Sequence, residues 1–157
     1  MSRARSAARL AAVQALYQQE MEGTALVPLL YEFHQHRLGA TIEDATYAEA
    51  EVDFFNDVVM GVDARRAEVD AMITANLAEG WAIDRLDRPL RQILRAGTYE
   101  LMARPDIPTG SVISEYLDVA HAFYDRKEKG FVNGVLDAKD AARVLRPELD
   151  RLVRLAV

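Results

Sequence analysis

An all-α domain is predicted by three observations. Apolar residues recur at spacings of three and four along nearly the whole chain, which places each set on one helix face. No stretch sustains the period-two alternation of a half-buried strand. Most glycines and prolines fall between the apolar stripes rather than inside them. With 157 residues the chain suits one domain. A chain of this size buries roughly two thirds of its unfolded surface, so it needs no metal or disulfide to fold.

The elements follow in order. Leu10, Val13, Tyr17 and Met21 form a first stripe, and Leu26, Leu29, Leu30 and Phe33 a second that Gly39 closes. Phe55, Val58, Val59, Val62, Val69, Met72, Ile73 and Leu77 predict a long third element, broken near Gly61. Leu86, Leu90, Ile93, Gly97 and Leu101 form a fourth, for which Asp84 is an N-cap candidate. Pro105 and Pro108 stop it. Ile113, Tyr116, Leu117, Ala120 and Phe123 form a fifth, with Ser111 as its N-cap candidate. Phe131, Val135, Ala138, Ala142 and Leu145 form a sixth, and Pro147 opens a last short segment. Gly97 sits on the apolar side of its helix, where glycine costs about 1 kcal/mol relative to alanine. Close approach of another helix is the expected compensation.

Composition limits the function classes. The net charge of −6 excludes a general polyanion binder. Nucleic-acid binding would need a local basic patch, and one exists: Arg3, Arg5 and Arg9 precede the first acidic residue, Glu20. There are no cysteines, which excludes disulfides and thiolate chemistry and agrees with a cytoplasmic setting. The apolar runs are only a few residues long, so no membrane span is expected, and no secretory signal follows the N-terminal arginines.

Catalysis is not expected. The chain lacks a Gly-rich phosphate loop, a Gly-x-Ser-x-Gly elbow and a zinc spacing. Glu32 and His36 are four apart and could share a helix face as two metal ligands, but no further ligands accompany them. A solvated polar face is the simpler reading. His121 has no obvious catalytic partner in sequence. Nothing in the sequence pairs Glu100 with Glu115, and Glu115 is expected to face its helix N-terminus. No metal, cofactor or catalytic residue is assigned.

Three collinear pieces carry a family resemblance. Arg9 is followed by Ala12-Val13-Gln14-Ala15-Leu16-Tyr17, and the middle carries Ile93-Leu94-Arg95-Ala96-Gly97-Thr98-Tyr99-Glu100-Leu101. Further on stand Asp106-Ile107-Pro108, Val112-Ile113-Ser114-Glu115-Tyr116-Leu117-Asp118-Val119-Ala120 and Gly130-Phe131-Val132-Asn133-Gly134-Val135-Leu136-Asp137. In this order they resemble the NusB family of bacterial transcription antitermination factors. The resemblance implies about six to seven helices in two subdomains sharing one core. The divisions are an N-terminal half at about 1–79, a C-terminal half at about 80–146 and an extension at 147–157.

It also implies a function. Family members pair with the small-subunit ribosomal protein that doubles as NusE. The pair binds the single-stranded boxA element of nascent ribosomal RNA leaders and joins RNA polymerase to suppress premature termination. The RNA contacts implied here are Arg3, Arg5, Arg9, Tyr17, Lys127, Lys129 and Phe131. Arginine grips phosphate with a planar fork, and aromatic rings serve as stacking platforms for bases. Asp84 and Leu90 match positions near the partner-facing surface. Relatives often carry an acidic residue where Lys127 stands, and a denser arginine cluster where Ser6, Ala7 and Ala8 interrupt this one. The alternative is a helical interaction module, or a homodimer, with little RNA binding of its own.

Overall fold

The computed structural model describes residues 3–36, 49–76 and 82–126. Among the described residues the chain is all-helical, as its periodicity predicts, with six α-helices and no strand. They are α1 (Arg3–Glu22), α2 (Leu26–His36), α3 (Glu49–Ala64), α4 (Arg66–Asn76), α5 (Arg88–Ala103) and α6 (Thr109–Arg126). A 3-10 turn, Ile83–Arg85, precedes α5. The stripe beginning at Phe131, the segment 147–157 and most of the expected subdomain junction lie outside the described residues.

Helix α1 is the hub. It packs against α2, α3, α5 and α6. Its covered face is Ala8, Ala11, Ala12, Val13, Ala15 and Leu16. Four alanines on that face let neighbouring backbones come close from several directions. The helix stops at Gly23, whose φ of 65° suits the left-handed C-terminal position. The Gly23 N–H donates to the Gln19 carbonyl at 2.9 Å, which satisfies one of the terminal acceptors.

Helices α3 and α4 correct one expectation. The predicted long element does break, but at Arg65 rather than near Gly61. Backbone bonds run on through the joint, from the Arg65 N–H to the Gly61 carbonyl at 3.0 Å and from the Val69 N–H to the Arg65 carbonyl at 2.9 Å. Gly61 serves packing instead. A Cβ there would overlap the ring of Tyr99 on α5. That ring is held by its hydroxyl, which donates to Asp57 Oδ1 at 2.6 Å.

Helix α5 is the core helix. Pro89, Leu90 and every residue from Gln92 to Glu100 are buried, Gly97 among them. Its N-cap position is Asp87, not Asp84, and the Asp87 side chain makes no capping bond. Asp84 lies one step earlier, in the 3-10 turn. Arg91 supports that turn by donating to the carbonyls of Ile83, Asp84 and Leu86 at 3.0–3.2 Å. The helix ends before Pro105, which disfavours helical backbone at Arg104. Helix α6 starts at Thr109, and the Pro108 carbonyl already accepts from Ser111 and Val112 at 3.0 and 3.1 Å. Ser111 is therefore inside the first turn and not its cap.

Among the described residues Arg9 is one of four fully buried polar or charged side chains, with Gln92, Thr98 and Glu100. Its side chain is fully buried and lies against two helices at once. Nε donates to Glu100 Oε2 at 2.9 Å and Nη2 to Glu100 Oε1 at 3.0 Å, while Nη1 lies 3.5 Å from Glu115 Oε2. The Tyr116 hydroxyl donates to the same Glu100 carboxylate, and Ser6 Oγ donates to Glu115 Oε2 at 2.8 Å. Burial on its own would lower the Arg9 pKa; the bonds to Glu100 more than reverse that, and it is raised. The network ties α1 to α5 and α6. It also corrects two sequence expectations: Glu100 and Glu115 do share a partner, and Glu115 faces Arg9 rather than the start of α6.

Two outcomes follow from these contacts. Arg9→Met would leave two carboxylates unpaired in the interior, and breaking a buried ion pair costs about 3–5 kcal/mol. Urea unfolding should show that loss, and a change within the scatter of surface substitutions would refute the assigned role. The second concerns pH. Burial, then the bond to Asp57, pushes the Tyr99 hydroxyl up to about 12 from 10.0, and Tyr116 is raised as well. A raised pKa stabilises the fold fully below the unfolded value and loses that contribution as pH rises through the folded one. The stability gap between the protein and Tyr99→Phe should therefore be constant below pH 10 and shrink from there toward pH 12. Thermal melts across that range test it, and a gap independent of pH would refute it.

Candidate nucleic-acid interface

The N-terminal turns of α1 carry the basic arm that the sequence singles out. Only part of that arm faces outward. Arg5 is half-buried, with its guanidinium carbon 4.6 Å from the centroid of the Phe54 ring. Arg9 lies 4.9 Å from the same centroid but is enclosed by its carboxylates. Its expected place as an accessible phosphate contact is thus corrected: Arg9, the seventh residue of α1, falls on the core side beside Ala8, Ala12 and Val13, where Glu100 meets it. Arg3 begins α1, and its side chain lies outside the described residues.

A third arginine completes the cluster. Arg104, just past the end of α5, lies 5.3 Å from the Phe54 centroid. Arginine over an aromatic face is attracted by the ring quadrupole, so one nearly buried phenylalanine organises three guanidiniums. Arg104 is also paired on two sides. Its Nη1 donates to Asp57 Oδ2 at 2.9 Å, and its Nε and Nη2 donate to the two carboxylate oxygens of Asp106 at 3.1 Å each. The bonds to Asp106 raise the Arg104 pKa. In return, the Asp106 carboxyl is held below its usual value by Arg104 first and by the charge of Arg5 among smaller causes.

Sequence reading missed Phe54, Asp57 and Arg104. Phe54 stands next to Phe55 and was overshadowed by it on the apolar stripe. The order Arg104-Pro105-Asp106 held a usable signal, a cation and an anion flanking a helix-stopping proline. The partner on α3 is 47 residues from Arg104 and leaves no local trace.

At the other end of α1 lies a groove of about 480 Å³. Tyr17, Glu20, Asp84, Leu86, Asp87, Arg88, Pro89 and Arg91 line it. Arg91 forms an ion pair with Glu20, and Gln92 Nε2 donates to Glu20 Oε2 at 3.0 Å, so the wall joining α1 to α5 is fixed. Tyr17 and Asp84, singled out for different tasks, are therefore neighbours across one depression. Leu90 is not at this surface. It is 1% exposed and belongs to the core, because it falls on the same α5 face as Ile93 and Leu94. Lys127, Lys129 and Phe131 lie outside the described residues. The expected solvated face of α2 is corrected at Glu32, which is half-buried and accepts from Gln18 Nε2 of α1 at 3.0 Å, joining the two helices. The side chain of His36 is not among the described ones. Among the described residues no helix is long and apolar enough to cross a membrane.

Comparison with known proteins agrees with this architecture. The family model described as the NusB family matches residues 6–140. The transcription antitermination protein NusB of Sphingopyxis alaskensis is 65% identical over 137 residues, covering 87% of this chain and 92% of that protein. Among solved structures, NusB of T. maritima superposes with a TM-score of 0.72 at 24% identity, covering 98% of this chain and 93% of that one. A chain in the crystal structure of a plectonemic RNA supercoil gives 0.76 at 22% identity, covering 98% and 96%. The matched span contains Phe54, Arg9, Arg104 and the Tyr17 groove, with Arg5 one residue before it, and the chain belongs to the NusB family of transcription antitermination proteins.

Proposed function

We propose that this protein binds single-stranded boxA-type RNA together with a NusE-type ribosomal protein, and that the pair acts within an antitermination complex on RNA polymerase in the cytoplasm. The observation that carries the reading is Arg5. It stands at the basic start of α1, stacked on Phe54, in a chain whose net charge is otherwise unfavourable to RNA. Stacking fixes the guanidinium before any ligand arrives, so less side-chain entropy is lost on binding phosphate. Arg3, Lys127, Lys129 and Phe131 are proposed to extend this surface, as the family resemblance implies. A chain matched in fold occurs in a crystal structure described by its RNA, which suits the same reading.

The groove around Tyr17 suits the protein partner better than the RNA. Three acids, Glu20, Asp84 and Asp87, outnumber the two arginines of the lining, Arg88 and Arg91, and since Arg91 is paired with Glu20 the net negative charge there comes from Asp84 and Asp87, which favours a basic ribosomal protein over phosphate. Tyr17 gives an aromatic anchor of the kind that concentrates binding energy. It lies about 18 Å along α1 from Arg5, counted at 1.5 Å per residue. We assign Asp84 and Tyr17 to the partner and Arg5 to the RNA. No covalent chemistry is proposed. The reading of an interaction module with little RNA binding of its own draws support from one observation, the internal pairing of Arg9 and Arg104.

Anisotropy of a labelled boxA-type RNA, with and without the NusE-type partner and at several salt concentrations, tests the proposal. Binding should be weak alone and tighten sharply with partner. Arg5→Ala should weaken it and lower the salt slope by about one, the value for one lost phosphate contact. Partner binding that leaves RNA unbound in every condition would establish the interaction module instead.

A further inference from the structure

The Arg104 fork is already filled by a carboxylate, and the identity of that carboxylate is informative. Asp106 presents two oxygens to Nε and Nη2 at 3.1 Å each, the bidentate geometry that a phosphodiester would also adopt. The two groups are tethered only two residues apart, in the turn between α5 and α6. Asp106 is 59% exposed, whereas the other partner of Arg104, Asp57, is more covered and is further held by Tyr99. An exposed ion pair of this kind contributes little to stability, so its exchange for another anion is cheap. Arg5 shares the Phe54 ring with Arg104, and its charge reaches Asp106.

We propose that Asp106 is a built-in competitor for RNA phosphate: it occupies the outer fork of Arg104 in the free protein, and a phosphodiester held by Arg5 displaces it. Arg104 is then a second phosphate contact whose cost of use is set by Asp106, while Asp57 and Phe54 keep the guanidinium in place through the exchange. The arrangement lowers affinity for random polyanions, because a weakly held phosphate does not outcompete a tethered carboxylate. The inference rests on the RNA-binding reading above.

The test compares Asp106→Asn with Glu22→Gln in the same RNA titration, with partner present. Both remove one negative charge, but Glu22 stands at the far end of α1, about 25 Å from Arg5 at 1.5 Å per residue. Asp106→Asn should bind about threefold to tenfold more tightly, with a salt slope steeper by roughly one. Glu22→Gln should stay close to the unsubstituted protein. Adding Arg104→Gln to Asp106→Asn should remove the gain, and Asp106→Ser should reproduce it, with thermal melts confirming that each variant folds. An Asp106→Asn affinity equal to that of Glu22→Gln overturns the competitor while leaving RNA binding intact. RNA that binds none of these proteins overturns the functional reading and this inference together.

Discussion

The arrangement of the helices depends on one ion pair. Arg9 carries its charge into the centre of the molecule and meets Glu100 there, with Glu115 and Tyr116 completing the shell. Desolvating a guanidinium is costly, and the cost is offset only when the geometry supplies several good bonds at once. Here the bonds come from two different helices. The requirement to satisfy Arg9 therefore fixes α5 and α6 relative to α1 more tightly than apolar contact alone, which tolerates sliding. Arg5 and Ser6 inherit their positions from this constraint, because they precede Arg9 by one turn or less on the same rigid helix.

Outside that centre the polar contacts repeat a theme of arginine bridging helices. Arg95 on α5 grips Asp70 on α4 through two bonds of 2.8 and 2.9 Å, and Arg104 joins the end of α5 to α3. Gln19 on α1 donates to Asp63 on α3 at 3.0 Å. These contacts tie α1, α4 and α5 to their neighbours through charged or amide side chains. Among the described residues three guanidiniums gather over the ring of the buried Phe54. A neutral residue thus does much to decide where cations collect.

Helix existence was legible in the sequence because it rests on periodicity, which is local. The stripe of α5 reappears as a buried face and those of α2 and α6 do so in part, whereas on α1 the predicted stripe keeps only Val13 buried, because the alanines beside it, with Leu16, form the covered face and Met21 is exposed. Breaks were less legible. Gly61 looked like a stop because glycine weakens a helix, yet it is retained for the Tyr99 ring, which only the folded chain brings alongside. Site residues were legible in chemistry but not in exposure. Arg5 and Arg9 look alike in one dimension and share a helix face over Phe54, and their place along α1 separates them: Arg9 lies opposite Glu100 and Glu115, and Arg5 stands about one turn nearer the helix end. The family resemblance pointed to Asp84 and Leu90 together, but Leu90 follows the apolar phase of α5 inward. Arg104 was missed because its meaning comes from Asp57 and Phe54, both on a helix distant in sequence.

Helix α1 has a consequence beyond packing. Twenty residues make a rod of about 30 Å, braced along its length by four other helices. The arginine cluster sits at its first turns and the Tyr17 groove near its last. With RNA and partner bound as proposed, such a rod would work as a ruler that sets their separation. Cooperation between ligands at the two ends then comes from their touching each other across a fixed gap. Its strength is an effective concentration set by the length of α1 and by the reach of the ligands themselves.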